Sequence, residues 1–323
     1  MDNQNEKLRI KEWMRPHEVE LRSNAVAYIE KAIQLKLLPD NDVSSFEAFS
    51  KGESSVVFKV ETKSGPYVVK MRNKEEDRAL AEAYFYRMWR QNGVRTPRVF
   101  LARQADEEIP VSLSVMEYID APVLSEKMVV NERIKSGLSK EMGRVLAKMH
   151  QVKGNGFGYP VGNNFFGSHK TFGEQMFEEL MRRKILLLKQ EGIISNGDAD
   201  YARKAINVIE NDGDTLPSLT HYDYGAYNIF ATHPLTIFDP NPCFTHPVMD
   251  LALALITPTV TDHPQEGDQI LAGYKEVNPM SDRVVSAGIV LRGLMKARTW
   301  SRKKLDNRMQ RLIPLIREHG KKL

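Results

Sequence analysis

Apolar residues recur at helical spacing near the start of the chain. Leu21 is followed by Ala25 and Ile29 at intervals of four residues. This period predicts a helix over His17–Leu38. Short apolar runs separated by turn residues come next, and they are typical of strands. The predicted strands are Val43–Phe49, Ser54–Glu61 and Tyr67–Met71, with turns at Lys51-Gly52 and Ser64-Gly65-Pro66.

The pattern then changes from mixed to mainly helical. A second helix is predicted over Lys74–Gln91, because Asn92-Gly93 is a signal for a helix C-terminus. Two further strands are predicted over Arg98–Arg103 and Val111–Tyr118. The predicted helices beyond them are Asn131–Gln151, Thr171–Glu191, Asp198–Asn211, Pro247–Ile256 and several turns from Arg283 onward. A short β-region interrupts these helices around Leu219, Asn228–Ala231 and Leu235–Asp239.

This order of elements predicts an α+β fold with two lobes. Residues 1–118 would form a small, β-rich N-terminal lobe with a leading helix and one further helix. Residues 119–323 would form a larger, mainly helical C-terminal lobe. A cleft between two lobes is a favoured place for a ligand.

Composition narrows the class of protein. Of the 323 residues, 41% are apolar and 27% are charged, which is typical of a soluble globular enzyme. We find no apolar run long enough for a membrane span and no signal-peptide core, so we expect a cytoplasmic protein without a membrane partner. Because Cys243 is the only cysteine, an internal disulfide and a cysteine-rich zinc site are excluded.

The charge is unevenly distributed along the chain. The formal net charge is +4, yet the residues from Arg283 to the end contain twelve Lys or Arg and two acids. Residues 257–282 contain five acids and one base. A basic tail can indicate a nucleic-acid partner. We find no base-reading motif in it and therefore interpret the basic residues as a solvated helix face.

One motif carries the chemistry. The segment His221-Tyr222-Asp223-Tyr224-Gly225-Ala226-Tyr227-Asn228 has the order His-x-Asp-x4-Asn. It resembles the catalytic loop of the protein-kinase-like superfamily. In phosphoryl transfer, a carboxylate such as Asp223 orients the acceptor hydroxyl and takes its proton. Asn228 and the later Asp239 could then bind the magnesium that bridges the phosphates of ATP.

The residues that follow the loop make the resemblance more specific. Asp239-Pro240 is followed eleven positions later by Asp250-Leu251-Ala252. Together with the loop, this spacing resembles the aminoglycoside phosphotransferase family of small-molecule kinases, and is most similar to the streptomycin-type enzymes and the fructosamine kinases. The resemblance covers roughly residues 45 to 280. We expect Asp250 to brace the loop without a direct role in the chemistry.

The resemblance implies ATP-binding residues in the N-terminal lobe. Lys70 lies in the apolar strand Tyr67–Met71, where a buried lysine is costly unless anions meet it. Phosphate oxygens of ATP would do so, and Glu82 of the next helix would hold the lysine in place. A phosphate-covering hairpin would include Gly52, Ser54 and Ser55. A hinge that binds the adenine would include Glu117, Tyr118 and Ile119.

The loop departs from the family pattern at one position, where Tyr222 replaces the glycine that is usual in the family. The larger side chain adds bulk beside the base.

Alternative functions can be compared with the sequence. A protein kinase would need a long activation segment, and only eleven positions separate Asp239 from Asp250. A pseudokinase that serves as a binding module should have lost one of the key residues, and none is missing. The acceptor implied by the resemblance is an aminoglycoside-like or other amine-bearing sugar compound. The alternative is a sugar or metabolite, as for a fructosamine- or choline-kinase-like enzyme.

Overall fold

The computed structural model describes residues 16–49, 55–73, 78–162, 165–213 and 216–323. The chain divides into two compact units. Unit 1 comprises the described residues up to Arg90 together with Thr96–Asp120, and unit 2 comprises Gln91–Arg95 and Ala121–Leu323. No helix among the described residues is both long and apolar enough to cross a membrane.

Unit 1 is built on an antiparallel sheet. Its five strands have the order β1-β2-β3-β5-β4. The elements of unit 1 are α1 (Pro16–Gln34), β1 (Val43–Ala48), β2 (Val56–Thr62), β3 (Gly65–Asn73), α2 (Ala79–Gln91), β4 (Val99–Arg103) and β5 (Val111–Glu117). The apolar stripe of α1, with Leu21 and Ile29 buried, belongs to one core with Phe58, Met71 and Leu113 of the sheet. Burial of this stripe against the sheet stabilises the helix.

The register of the sheet places Lys70 at its centre. β3 pairs with β2 on one side and with β5 on the other. Lys70 lies opposite Val57 and Ser114 in these ladders. Its side chain is only 5% exposed, so the ammonium group requires a partner inside unit 1.

Unit 2 is mainly helical. Its helices are α3 (Leu124–Lys127), α4 (Val130–Lys135), α5 (Leu138–His150), α6 (Phe172–Met176), α7 (Lys184–Gln190), α8 (Asn196–Glu210), α9 (Val248–Val260), α10 (Pro264–Lys275), α11 (Asp282–Arg302) and α12 (Asp306–Gly320). A π-helical turn, Phe177–Met181, continues α6. Helix α11 packs against α8, α9 and α12, and is buried along most of its length.

Two small antiparallel sheets lie within unit 2. Strands β6 (Phe157–Val161), β7 (Phe166–His169), β8 (Ser218–Thr220) and β11 (Cys243–Thr245) form a sheet of order β7-β6-β11-β8. Strands β9 (Ile229–Phe230) and β10 (Thr236–Ile237) form the predicted hairpin. The four-stranded sheet was not predicted, because each of its strands has only three to five residues.

The predicted helices differ from the observed ones in continuity. The helix predicted over Asn131–Gln151 is divided, because Gly137 has φ of 78° between α4 and α5. The helix predicted over Thr171–Glu191 is interrupted by the π-helical turn. Helix α9 extends beyond the predicted end at Ile256, and includes Pro258. The predicted α+β fold class, with a β-rich first part and a larger helical second part, is confirmed.

Candidate active site

The loop after β8 is held by one buried carboxylate. Asp250, in the first turn of α9, accepts hydrogen bonds from the backbone N–H groups of His221 and Tyr222, both at 2.6 Å. His150 Nε2 lies 3.3 Å from the same carboxylate, and both side chains are fully buried. Burial acts to raise the pKa of Asp250, but the hydrogen bond from His150 and nearby positive groups lower it. The carboxylate therefore stays ionised and braces the loop, as the motif predicted.

Tyr222 adopts a conformation that favours glycine. Its φ is 59°, in the left-handed region, where a residue with a Cβ is strained. Its hydroxyl donates to Glu179 Oε2 at 2.6 Å, and burial raises the pKa of this phenol well above its usual value. The Arg292 guanidinium donates to the Tyr222 carbonyl and lies 4.1 Å from the ring centroid. These contacts offset the strain and fix the loop beside Asp223.

Asp223 is the partly exposed carboxylate of the loop. Its side chain is 41% exposed, and Oδ1 accepts a hydrogen bond from the Tyr227 hydroxyl at 3.2 Å. Lys296 Nζ lies 3.4 Å from the same oxygen. Asn228 Nδ2 donates to the Asp223 carbonyl at 2.9 Å. A carboxylate held in this way is within reach of a bound hydroxyl group.

The β9–β10 hairpin brings Asn228 close to Asp239. The Phe238 N–H donates to the Asn228 carbonyl at 3.0 Å, and Asp239 is the next residue. Asp239 has φ of 54°, another left-handed conformation of the kind that clusters at functional sites. Because the Asn228 amide nitrogen is bonded to Asp223, its oxygen is the end that can bind a cation. One amide oxygen and one carboxylate fit Mg²⁺, which keeps waters and phosphate oxygens as its other ligands.

The structure places Lys70 and Glu82 in direct contact within unit 1. Lys70 Nζ lies 2.7 Å from Glu82 Oε1 and 2.9 Å from Oε2. The Tyr86 hydroxyl donates to Glu82 Oε1 at 3.1 Å, and Arg72 lies 3.7 Å from Oε2. The Lys70 and Glu82 side chains are 5% and 2% exposed. A buried ion pair of this quality holds the ammonium in one position.

The other predicted ATP-binding residues are only partly described. Gly52 and Ser54 lie outside the described residues, while Ser55 is buried just before β2. At the end of β5, the Glu117 N–H donates to the Arg98 carbonyl and the Glu117 carboxylate accepts from the Arg98 N–H. The Tyr118 ring lies 4.6 Å from Lys59 Nζ, and Ile119 is buried. Their assignment to adenine binding stays a prediction.

Three residues near Asp223 were missed in the sequence analysis. Arg292 and Lys296 belong to the basic segment that was interpreted as a solvated face, yet Arg292 is 5% exposed and the Lys296 side chain 20%. Both lie one helical turn apart on the buried helix α11. Glu179 comes from the π-helical turn. One feature of the sequence could have indicated a special role for Arg292. The residues around it in α11 are apolar, and a charged residue in such a segment is unusual.

The family comparison agrees with the motifs. Residues 45–284 match the model of the family described as the phosphotransferase enzyme family, APH. This range includes Lys70, Asp223, Asn228 and Asp239. No protein of curated function matches the sequence significantly.

Solved structures share the fold at low sequence identity. Aminoglycoside phosphotransferase APH(4)-Ia is 16% identical, with a TM-score of 0.67 over 90% of this chain and 98% of its own. A candidate fructosamine-3-kinase from Haemophilus somnus 129PT is 14% identical, with a TM-score of 0.59 over 86% of this chain and 91% of its own. Spectinomycin phosphotransferase APH(9)-Ia, solved with ADP and spectinomycin, is 15% identical, with a TM-score of 0.52 over 90% and 93%.

Proposed function

The chain belongs to the phosphotransferase enzyme family, and we propose that it transfers the γ-phosphate of ATP to a hydroxyl group of a small polar molecule. The observation that carries the proposal is that one loop and the adjacent hairpin hold three polar side chains of the predicted site close together. Asp223, Asn228 and Asp239 are joined by the hydrogen bonds of the loop and hairpin, and Asp250 holds the loop from beneath.

In this proposal Asp223 is the catalytic base. Its carboxylate accepts a hydrogen bond from the acceptor hydroxyl and orients the oxygen for attack. It takes the proton as the bond to the γ-phosphorus forms and the bond from that phosphorus to the bridging oxygen breaks, so that ADP leaves. The support is its partial exposure together with its fixed position, because a base must reach a bound substrate. Positioning of this kind supplies much of the catalysis in phosphoryl transfer.

Asn228 and Asp239 are the proposed magnesium ligands. When bound, the ion would neutralise charge on the phosphate oxygens of ATP. The support is the chemistry of the two side chains, one neutral oxygen donor and one carboxylate. The neutral ligand has a further advantage here, since a second carboxylate beside Asp223 would compete for the proton.

Lys70 and Glu82 are the proposed phosphate-binding pair of unit 1. The lysine would contact phosphate oxygens of ATP, and the bidentate contact with Glu82 would keep its ammonium group in place. Ser55, Glu117, Tyr118 and Ile119, with Gly52 and Ser54, complete the proposed nucleotide-binding residues.

The acceptor is proposed to be small. Residues 239–250 are taken up by a short irregular stretch, β11 and the start of α9, which supports a compact acceptor rather than an extended peptide. Resemblance alone suggests an amine-bearing sugar compound. APH(4)-Ia has been solved with ADP and hygromycin B, which agrees with a nucleotide and a small acceptor. A sugar-like metabolite is the other acceptor class.

The test is a phosphorylation screen. The purified protein is incubated with γ-labelled ATP and Mg²⁺, and offered small hydroxyl compounds and peptides in parallel, with Asp223→Asn as the control for background. We expect the labelled phosphate to be transferred to a small molecule by the unsubstituted protein. The Asp223→Asn variant should not transfer it above background. Robust labelling of peptides without a small acceptor would contradict the proposal. ATP binding without transfer to any compound would favour a nucleotide-binding module.

A further inference from the structure

The ammonium group of Lys296 lies beside the proposed base, Asp223, and can donate further hydrogen bonds. An ammonium group carries three N–H donors. One of them is directed to Asp223 Oδ1 at 3.4 Å, and within the described residues the ammonium group donates to no other side chain or carbonyl. The side chain is 20% exposed, so it remains open to a bound molecule. Burial lowers the pKa of Lys296, although Asp223 acts against this shift. An additional anionic oxygen would stabilise the charged form.

The other charged groups near Lys296 do not supply that oxygen. Glu179 already accepts from the Tyr222 hydroxyl through Oε2 and from Gln175 Nε2 through Oε1, the latter at 2.8 Å. Asp250 is bound to the loop backbone. Asp223 is the only carboxylate within 4.0 Å of Lys296 among the described residues.

Other positive charges among the described residues act on Lys296, including those of Arg292 and Lys303. Arg292 precedes Lys296 by one helical turn and is 5% exposed. The carboxylates of Asp250 and Asp223 act on its charge electrostatically, although its guanidinium forms no salt bridge within 4.0 Å among the described residues. Its buried Nε finds no hydrogen-bond partner in the described part of the chain. Lys184 interacts electrostatically with Arg292 and Glu179, and burial lowers its pKa. At Lys296 itself, which has a single carboxylate contact among the described residues, a negative group of a ligand would be attracted and an ammonium group repelled.

We propose that Lys296 binds an anionic group of the acceptor beside Asp223, so that the acceptor is a small hydroxyl compound that also carries a carboxylate or a phosphate. The inference rests on the proposed function, because it places the acceptor at Asp223. It also separates the two acceptor classes. An amine-bearing acceptor with its hydroxyl at Asp223 would bring like charges close to Lys296.

The experiment compares gluconate, glucitol and glucosamine, six-carbon hydroxyl compounds that differ in charge. Binding is measured by calorimetry without ATP, and turnover by ADP release with ATP and Mg²⁺. The variants are Lys296→Met, which keeps an apolar stem, and Lys296→Arg, which keeps the charge. Arg302→Met is the matched control, because it removes one exposed positive charge from the end of the same helix.

We expect gluconate to bind most tightly and Lys296→Met to weaken its binding about tenfold. Glucitol binding should change less than about twofold. Lys296→Arg and Arg302→Met should retain the preference for the acid. Equal binding of the three compounds, tighter binding of glucosamine, or a preference that survives Lys296→Met would overturn the inference. An equal loss of turnover by Lys296→Met with all three compounds would also overturn it, because Lys296 would then contact the transferred phosphoryl group. Binding without phosphorylation of any compound would contradict the proposed function alone.

Discussion

Replacing Asp250 with Asn should loosen the loop that carries Asp223, while every proposed catalytic group is kept. The carboxylate accepts two backbone hydrogen bonds at 2.6 Å and contacts His150 at 3.3 Å in a fully buried environment. An asparagine keeps one acceptor oxygen and turns an N–H₂ group toward a backbone N–H. One buried donor of the loop would lose its partner, and both remaining contacts would lose the charge.

The magnitude follows from these contacts. A hydrogen bond to a charged group is worth about 1.5–3 kcal/mol, and an unsatisfied buried donor costs about 1–3 kcal/mol. We therefore expect Asp250→Asn to lower the free energy of unfolding by about 2–4 kcal/mol. A displacement of the loop by about 1 Å can reduce turnover about a hundredfold. Urea unfolding and phosphoryl-transfer rates measure the two effects.

A local probe makes the result specific. Amide hydrogen exchange at His221 and Tyr222 should accelerate in Asp250→Asn, because these two N–H groups donate to the carboxylate. Asp268→Asn, at an exposed position of α10, is the matched control and should change stability by less than about 0.5 kcal/mol. Unchanged stability, exchange and turnover in Asp250→Asn would refute the bracing role.

Three further outcomes are expected. Lys70→Met should weaken ATP binding or turnover about tenfold or more while unit 1 stays folded. Glu82→Gln should have a smaller effect in the same direction. Full activity in Lys70→Met would contradict the proposed contact between Lys70 and the phosphates. Asp239→Ala should abolish the magnesium dependence of ATP binding by calorimetry, and binding indifferent to both the metal and the substitution would contradict the metal assignment. The hydroxyl of Ser64 and the N–H groups of Asp42 and Ser64 lower the pKa of Asp40 to about 2. Its stabilising contribution should be present above pH 3.8 and be lost as the pH falls through about 2, which a carboxyl NMR titration can follow.

The parts that sequence analysis predicted are those in which neighbours in sequence are also neighbours in space. The loop residues Asp223 and Asn228 are five positions apart and are joined by a direct hydrogen bond. Lys70 and Glu82 are twelve positions apart and form a direct ion pair within unit 1. Alternating burial along β2 and the apolar period of α1 were likewise readable, because each element buries one face.

Features that depend on distant chain segments were not predictable in this way. Arg292 reaches the Tyr222 carbonyl across 70 positions, and Lys296 reaches Asp223 across 73. A charge count identifies the basic segment but not which of its side chains faces the loop. Similarly, β11 pairs with β6 through a single residue pair, Phe244 and Gly158, which leaves no periodic signal in the sequence.

The assignment of Asp223 as the base is the central claim, and the phosphoryl-transfer rate of Asp223→Asn tests it most directly. The asparagine has the same shape, and its amide oxygen can still accept the hydrogen bond from Tyr227. It cannot take a proton. With ATP, Mg²⁺ and the acceptor found by screening, we predict that the phosphoryl-transfer rate falls about a hundredfold or more. The ATP affinity measured by calorimetry should be unchanged. A rate close to that of the unsubstituted protein, at the same ATP affinity, would contradict the assignment.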